Sequence, residues 1–204
     1  MNCRTQRPGP SGWHLRRQLL LGAMCAGLCR TAASQTPTPG GTAAAPRAPR
    51  LPIPPDPALA EARLTGHGRF RWFGLAIYDA ELLAKNPVSH QDWFNQTFAL
   101  RLTYARAFRG AEIAQSSIEE IDKLGLATEL QRDSWLRKMT AVFPDVPSGD
   151  DLTGVHLPGT GVRFWNGQRL LGEVADPIFA RAFFAIWLDP KTTAPDLRRK
   201  LLGA

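Results

Sequence analysis

From residue 62 onward the hydrophobic positions of this chain switch between two periods. Arg69-Phe70-Arg71-Trp72-Phe73 alternates, with Phe70 and Trp72 on one face and both arginines on the other. Leu75 to Leu83 is more apolar, as a more central strand is, so residues 62–84 predict two strands. Gly66 and Gly68 mark a bend or bulge, and Gly74 a kink or turn. A loop over 85–95 holds Asn86-Pro87 and the pair Trp93-Phe94, expected to pack somewhere on the domain. Phe98, Leu100, Leu102 and Tyr104 then alternate with polar or small residues, predicting a third strand with one buried face.

The period next becomes helical. Ile113, Ser117, Ile118, Ile121 and Leu124 define a helix over 111–124, ended by Gly125. A second helix runs from Thr128, which caps it, to Phe143, with Leu130, Trp135, Leu136, Met139 and Phe143 as its buried stripe. Pro144 and Pro147 stop it. Strands return at 151–157, 161–165 and 168–174, the last two flanking the hairpin signal Asn166-Gly167. Asp176-Pro177 opens a helix through Phe179, Phe183, Phe184 and Trp187. After Asp189-Pro190 a short helix over 196–202 ends at Gly203. This order predicts an α+β fold, a large, mostly antiparallel sheet covered on one face by helices.

The first 58 residues read differently. Arg16-Arg17 precede an apolar run from Leu19 to Cys29, too short to span a bilayer and suited to an export signal. Small residues at Thr31-Ala32-Ala33-Ser34 predict cleavage after Ala33 or Ser34. Residues 1–34 are thus expected to be a signal peptide, of the Sec or twin-arginine type, and the protein to be exported to a periplasm. A lipoprotein anchored at Cys25 or Cys29 is disfavoured by the bulky Met24 and Leu28 before them. Residues 35–58 are rich in Pro, Ala, Thr and Gly and predict a disordered linker. The folded domain is expected over 59–204.

Charge and cysteine count then narrow the chemistry. The net charge is +7, but five arginines lie in the leader; without them 20 basic residues face 18 acidic ones. A near-neutral domain without a basic stripe argues against a nucleic-acid partner. All three cysteines, Cys3, Cys25 and Cys29, are in the leader, which removes disulfides, zinc-thiolate sites and cysteine nucleophiles from the domain. His67, His90 and His156 stand in separate segments without metal spacing, so no metal or cofactor is expected. Glu119, Glu120 and Asp122 read as a solvated helix face, and Gly149-Asp150-Asp151 as a turn and strand start. After removal of the leader no transmembrane segment is expected, and the domain is expected to be a monomer.

Some residues remain open to a ligand role. Arg69, Arg71, Arg101 and Arg163 alternate with apolar neighbours on strands; on adjacent strands they would converge as a clamp for a carboxylate or phenolate, or form a solvated outer face. Tyr78 and Tyr104 end apolar runs and should bury their rings and hydrogen-bond their hydroxyls. Ser117 borders the core, where it meets a ligand or bonds back to its own helix.

Taken in order, several of these segments form a pattern. Gly66-x-Gly68 leads into Ile77-Tyr78-Asp79-Ala80-x-Leu82; Leu102-x-Tyr104-Ala105-Arg106 and Phe143-Pro144-Asp145-Val146 follow. Then come Gly149-Asp150, Pro158-Gly159-x-Gly161, Asn166-Gly167 and Phe184-Ala185-Ile186-Trp187-Leu188-Asp189-Pro190-x-Thr192. Over residues 61–204 the chain resembles the bacterial chalcone isomerase-like proteins. The resemblance implies an open-faced β-sandwich with a ligand cleft between sheet and helices. The plant enzymes of this group close a chalcone to a flavanone with a strand arginine, a Thr and a Tyr around a water, and a helix Asn. By resemblance the arginine corresponds to Arg69 or Arg71, Phe73 stands where the Thr would be, Ile113 lies near the Tyr position, and helix 111–124 has no Asn. Non-catalytic relatives bind fatty acids through an arginine and a tyrosine, which Arg71 with Tyr78 or Tyr104 would supply. Thr192 and Thr193 stand where plant enzymes place a substrate-binding hydroxyl. The expected role is binding of a small apolar or amphipathic, fatty-acid-like molecule; an intramolecular lyase of chalcone isomerase type, or an interaction protein whose cleft is filled by Trp72, Phe73 and Trp135, are the alternatives.

Overall fold

The computed structural model describes residues 52–203; the expected signal peptide, and the expected linker up to Leu51, lie outside the described residues. Six strands form one antiparallel sheet in chain order: β1 (Arg63–Trp72), β2 (Leu75–Ala84), β3 (Phe98–Tyr104), β4 (Asp151–Leu157), β5 (Gly161–Asn166) and β6 (Arg169–Val174). The helical pair α1 (Gly110–Lys123) and α2 (Glu129–Val142) connects β3 to β4; α3 (Pro177–Leu188) and α4 (Pro195–Leu202) follow β6. The expected order and architecture are both present. A sheet of this kind needs only one covered face, because antiparallel strands alternate apolar and polar sides.

The local signals act where the sequence puts them. Thr128 and Gln131 form a reciprocal cap at the start of α2, and the Asp176 side chain accepts from the backbone N–H of Phe179 at the start of α3. Gly125 takes a left-handed φ of 68° just beyond α1. Arg198, from the basic run of α4, donates to the carbonyls of Leu188 and His90 and so ties off the C-terminal end of α3.

The main core lies between sheet and helices. Leu82, Phe98, Leu100 and Phe164 from the strands meet Ile121, Trp135, Met139, Phe179 and Phe184 from the helices, all buried. Leu130, expected in the α2 stripe, is instead 82% exposed. It precedes Trp135 by five residues, which at about 100° per residue turns it about 140° away from the buried line. Gly66 sits beside a bulge in β1, as expected, but its second role was not legible: a Cβ there would lie 1.8 Å from the Leu201 carbonyl oxygen. The missing side chain lets the α4 backbone rest directly on β1.

The opposite face of the sheet holds a smaller cluster of Leu59, Leu83, Ala99, Val155 and Trp165. Residues 52–58, read from composition as the end of a linker, pack here. Asp56 is buried and accepts from Arg163 at 2.8 Å and from the Trp165 indole at 3.2 Å. The Pro52 carbonyl accepts from buried Arg101 at 2.7 Å. Proline-rich chain lacks donors of its own, but its carbonyls and one carboxylate are acceptors that these strand cations satisfy.

Candidate functional site

The strand arginines do converge, on the face away from the helices. Arg69 makes a two-pronged pair with Asp79 at 2.7 and 2.8 Å, Arg101 pairs with Glu81, and Arg163 with Asp56 and Glu173. Arg71 is exposed near the β1–β2 turn and donates to the Gly74 carbonyl. The expected clamp of Arg69 or Arg71 with a cleft tyrosine is therefore not assembled. The reason is strand parity: Phe70 and Tyr78 face the helices, so their neighbours on either side face away.

What does assemble between sheet and helices is a column of rings. Phe70, Tyr78 and Tyr104 are direct cross-strand neighbours. Phe70 stacks on Tyr78 with ring centres 5.1 Å apart, Tyr78 meets Tyr104 edge-on at 6.0 Å, and Tyr104 meets Phe108 at 5.5 Å. From α3 the Trp187 indole N–H donates to the Tyr78 hydroxyl at 3.0 Å. Glu120 on α1 lies close enough for its charge to act on Tyr78. Burial first, and the Glu120 charge in addition, push the Tyr78 phenol up in pKa against the opposing Trp187 bond, so the group stays protonated. Burial does the same for Tyr104.

The hydrogen-bond inventory of this pair is incomplete. The Tyr78 oxygen is occupied as an acceptor, while its own O–H donates to no described residue. Tyr104 is buried, and its hydroxyl has no hydrogen-bond partner among the described residues. The Tyr104 oxygen is not sealed off from the surface, so its donor is open to water or to another oxygen. Two neighbouring O–H donors without acceptors, in a wall of rings, offer a place for a ligand oxygen.

The other expected site residues take separate positions. Ser117 is buried and donates back to the Ile113 carbonyl at 2.8 Å, so its hydroxyl is used by the helix. Thr192 is buried and donates to the Ile186 carbonyl at 2.5 Å while accepting from the Ala194 N–H, which holds the turn after α3. Thr193 donates to Glu120 at 2.6 Å and so borders the Tyr78 site through that carboxylate. Trp72 and Phe73, considered as cleft fillers, are exposed, and Trp135 is buried elsewhere, against Phe179 and Asp176. Two partners escaped the sequence reading. Glu120 was taken for solvated surface, although it lies three residues after inward-facing Ser117. Trp187 was read only as core, although a buried indole N–H needs an acceptor.

A concavity of about 290 Å³ lies apart from this cluster, lined by His90, Trp93, Phe94, Arg181, Asp189 and Pro190 among others. The Arg181 guanidinium carbon lies over the Phe94 ring, 4.1 Å from its centre. Among the described residues no cluster of His, Cys, Asp or Glu is placed to hold a metal, and no helix is long and apolar enough to cross a membrane.

Comparison with known proteins now decides the family, because the model of the chalcone isomerase-like family matches residues 59–203. The chain belongs to the chalcone isomerase-like family. It is 30% identical over 138 residues to an uncharacterized protein of Haemophilus influenzae, a match covering 68% of this chain and 66% of that one. Among solved structures it is similar to a fatty-acid binding protein of Arabidopsis thaliana, with a TM-score of 0.58 at 15% identity, over 70% of this chain and 87% of that chain. At that identity the likeness establishes the shared fold. Within this chalcone isomerase-like domain, the Tyr78–Tyr104–Trp187 cluster occupies the seam between sheet and helices.

Proposed function

We propose that this protein is an exported, monomeric binding protein for a small apolar or amphipathic molecule of fatty-acid type, held in the sheet–helix seam. The observation that carries this reading is the pair of donor hydroxyls on Tyr78 and Tyr104 without acceptors, set in a column of aromatic rings. The apolar body of a ligand replaces ring-to-ring contact, and its oxygen accepts from the two phenols. Since Glu120 is nearby and the strand arginines face away, the two phenols favour an oxygen that arrives uncharged, such as a protonated acid or an ester carbonyl. The fold neighbour that binds fatty acids supports the ligand class, and the leader supports export.

The same geometry disfavours the cyclisation reaction of the plant enzymes. A phenolate nucleophile needs a cation beside it, and Arg69 is already neutralised by Asp79 on the other face.

The full chain titrated with a dansyl-labelled fatty acid should give saturable fluorescence enhancement. Tyr78→Phe with Tyr104→Phe should weaken it by about tenfold or more, since two hydrogen bonds at about 1 kcal/mol each are lost. Absence of saturation, or identical affinity in the double variant, would sink this reading. Cyclisation of naringenin chalcone well above its spontaneous rate would favour the isomerase reading instead.

A further inference from the structure

We propose that the β1–β2 hairpin tip is a docking element for a lipid surface, with Trp72, Phe73 and Leu75 as the inserted side chains and Arg71 and Arg106 as the headgroup contacts. This does not depend on the ligand reading above. The last pair between β2 and β3 is Tyr78 with Tyr104. Beyond it, residues 71–77 of the hairpin project with no third strand beside them. At about 3.3 Å per residue the tip stands roughly 15 Å past the end of β3.

That projection carries large apolar side chains with no use in the core. Trp72 is 55%, Phe73 91% and Leu75 48% exposed. Phe73 is also the only described non-glycine residue with a positive φ, 46°, followed by Gly74 at 80°. A two-residue turn of this shape favours Asn or Gly. A phenylalanine there opposes both backbone preference and solvation, so folding gives no reason for it. Segment 71–77 contains no acidic residue. Arg71 lies within it, and Arg106 adjoins its base, because the Ala105 N–H donates to the Ile77 carbonyl. Neither guanidinium has a carboxylate partner among the described residues.

Trp and Phe beside unneutralised arginines match the boundary between acyl chains and anionic headgroups. A second copy of the chain fits less well. Three side chains expose about 400 Å² at most, so two facing tips would bury about 800 Å², short of the roughly 1,200 Å² of a stable interface. The tip is also continuous with the seam. Phe73 meets Trp72 at 5.2 Å and Trp72 meets Phe70 at 6.5 Å, and Phe70 stacks on Tyr78. A ladder of rings thus runs from the exposed tip into the sheet–helix interface.

The test is cosedimentation of the full chain with phosphatidylcholine vesicles containing phosphatidylglycerol. The variant Trp72→Thr/Phe73→Asn/Leu75→Thr keeps strand and turn preferences, and its folding is checked by circular dichroism and melting. Both proteins carry the same leader, so any binding through the leader cancels. Vesicle affinity should fall about tenfold or more in the variant. Arg71→Gln with Arg106→Gln should reduce the dependence on phosphatidylglycerol and on salt relative to wild type carrying the same leader. Vesicles with brominated acyl chains should quench the emission that wild type has and Trp72→Phe lacks. Equal binding by wild type and triple variant, or no binding by either, overturns the proposal. A wild-type dimer that the triple variant dissociates overturns it in favour of self-association.

Discussion

The indole of Trp187 donates to the hydroxyl of Tyr78 across 109 residues of chain, tying the last turns of α3 to the second strand at 3.0 Å. One residue comes from the loudest apolar block of the sequence and the other from an alternating strand. Their contact converts a packing helix into one wall of the seam. Removing the donor leaves the half-buried Tyr78 phenol with neither bond. Trp187→Phe should cost about 2 kcal/mol, combining the lost hydrogen bond with lost ring volume. Urea denaturation of the two proteins checks this; a midpoint unchanged from wild type would remove the bond from the account.

Asp56 belongs energetically to the domain, although the family match starts three residues later at 59. It is buried, with Arg163 and Trp165 as donors. Asp56→Ala should cost about 2 kcal/mol, less than a fully buried pair, because Arg163 keeps part of its surface in water. Thermal melting measures it, and Arg163→Ala in the same background should add little beyond the first loss.

Gly66→Ala is expected to be among the most damaging single methyl additions. The clash is with backbone, the Leu201 carbonyl, which no rotamer change relieves. A loss of about 3 kcal/mol is expected, with α4 loosened from β1. Hydrogen exchange should show the amides of α4 losing protection while those of β4 and β5 keep theirs.

His156 sets an acid limit on stability. It is buried between the Phe98 and Phe184 rings, with Nδ1 at 2.8 Å from the Gln96 carbonyl oxygen. Burial lowers its pKa, outweighing the Gln96 bond, so the folded state holds it neutral. The unfolded chain therefore binds a proton more readily. This contribution is complete above the unfolded pKa of about 6.5 and is lost as pH falls from there toward the lower folded value. Melting temperature should drop between pH 7.5 and 5, and His156→Gln, though less stable throughout, should show a shallower slope. An unchanged slope would assign the acid sensitivity to other groups.

Much of the fold was legible because its signals are local. The 2-residue period marked β1 and β3, and a more apolar run marked β2. The helical stripes, the Thr128 and Asp176 caps and the Asn166-Gly167 turn placed the helices and the last hairpin. Leu130 went wrong because stripe membership depends on which turns of the helix meet the sheet. Gly66 was read as a bulge, but its second cause is a helix lying more than a hundred residues away in sequence. The candidate site was less legible. Tyr78 and Tyr104 were found from alternation, whereas Trp187 and Glu120 were passed over because their roles exist only once α3 and α1 cross the strands. Arg69 and Arg71 were misplaced by a correspondence that ignored their parity with Phe70.

By itself the sequence determined the order of elements, the antiparallel α+β class, the absence of cysteine chemistry in the domain and the family to which it belongs. These follow from periodicity, caps and composition, which act over a few residues. Only the tertiary structure decided which face each charge occupies and which hydroxyls lack acceptors. It also turned Pro52 to Pro57 into a packed strap and left Trp72 and Phe73 in water. The physical reason is that hydrogen-bond satisfaction and desolvation are properties of neighbours in space, and the chain brings those neighbours together only after its local elements have docked.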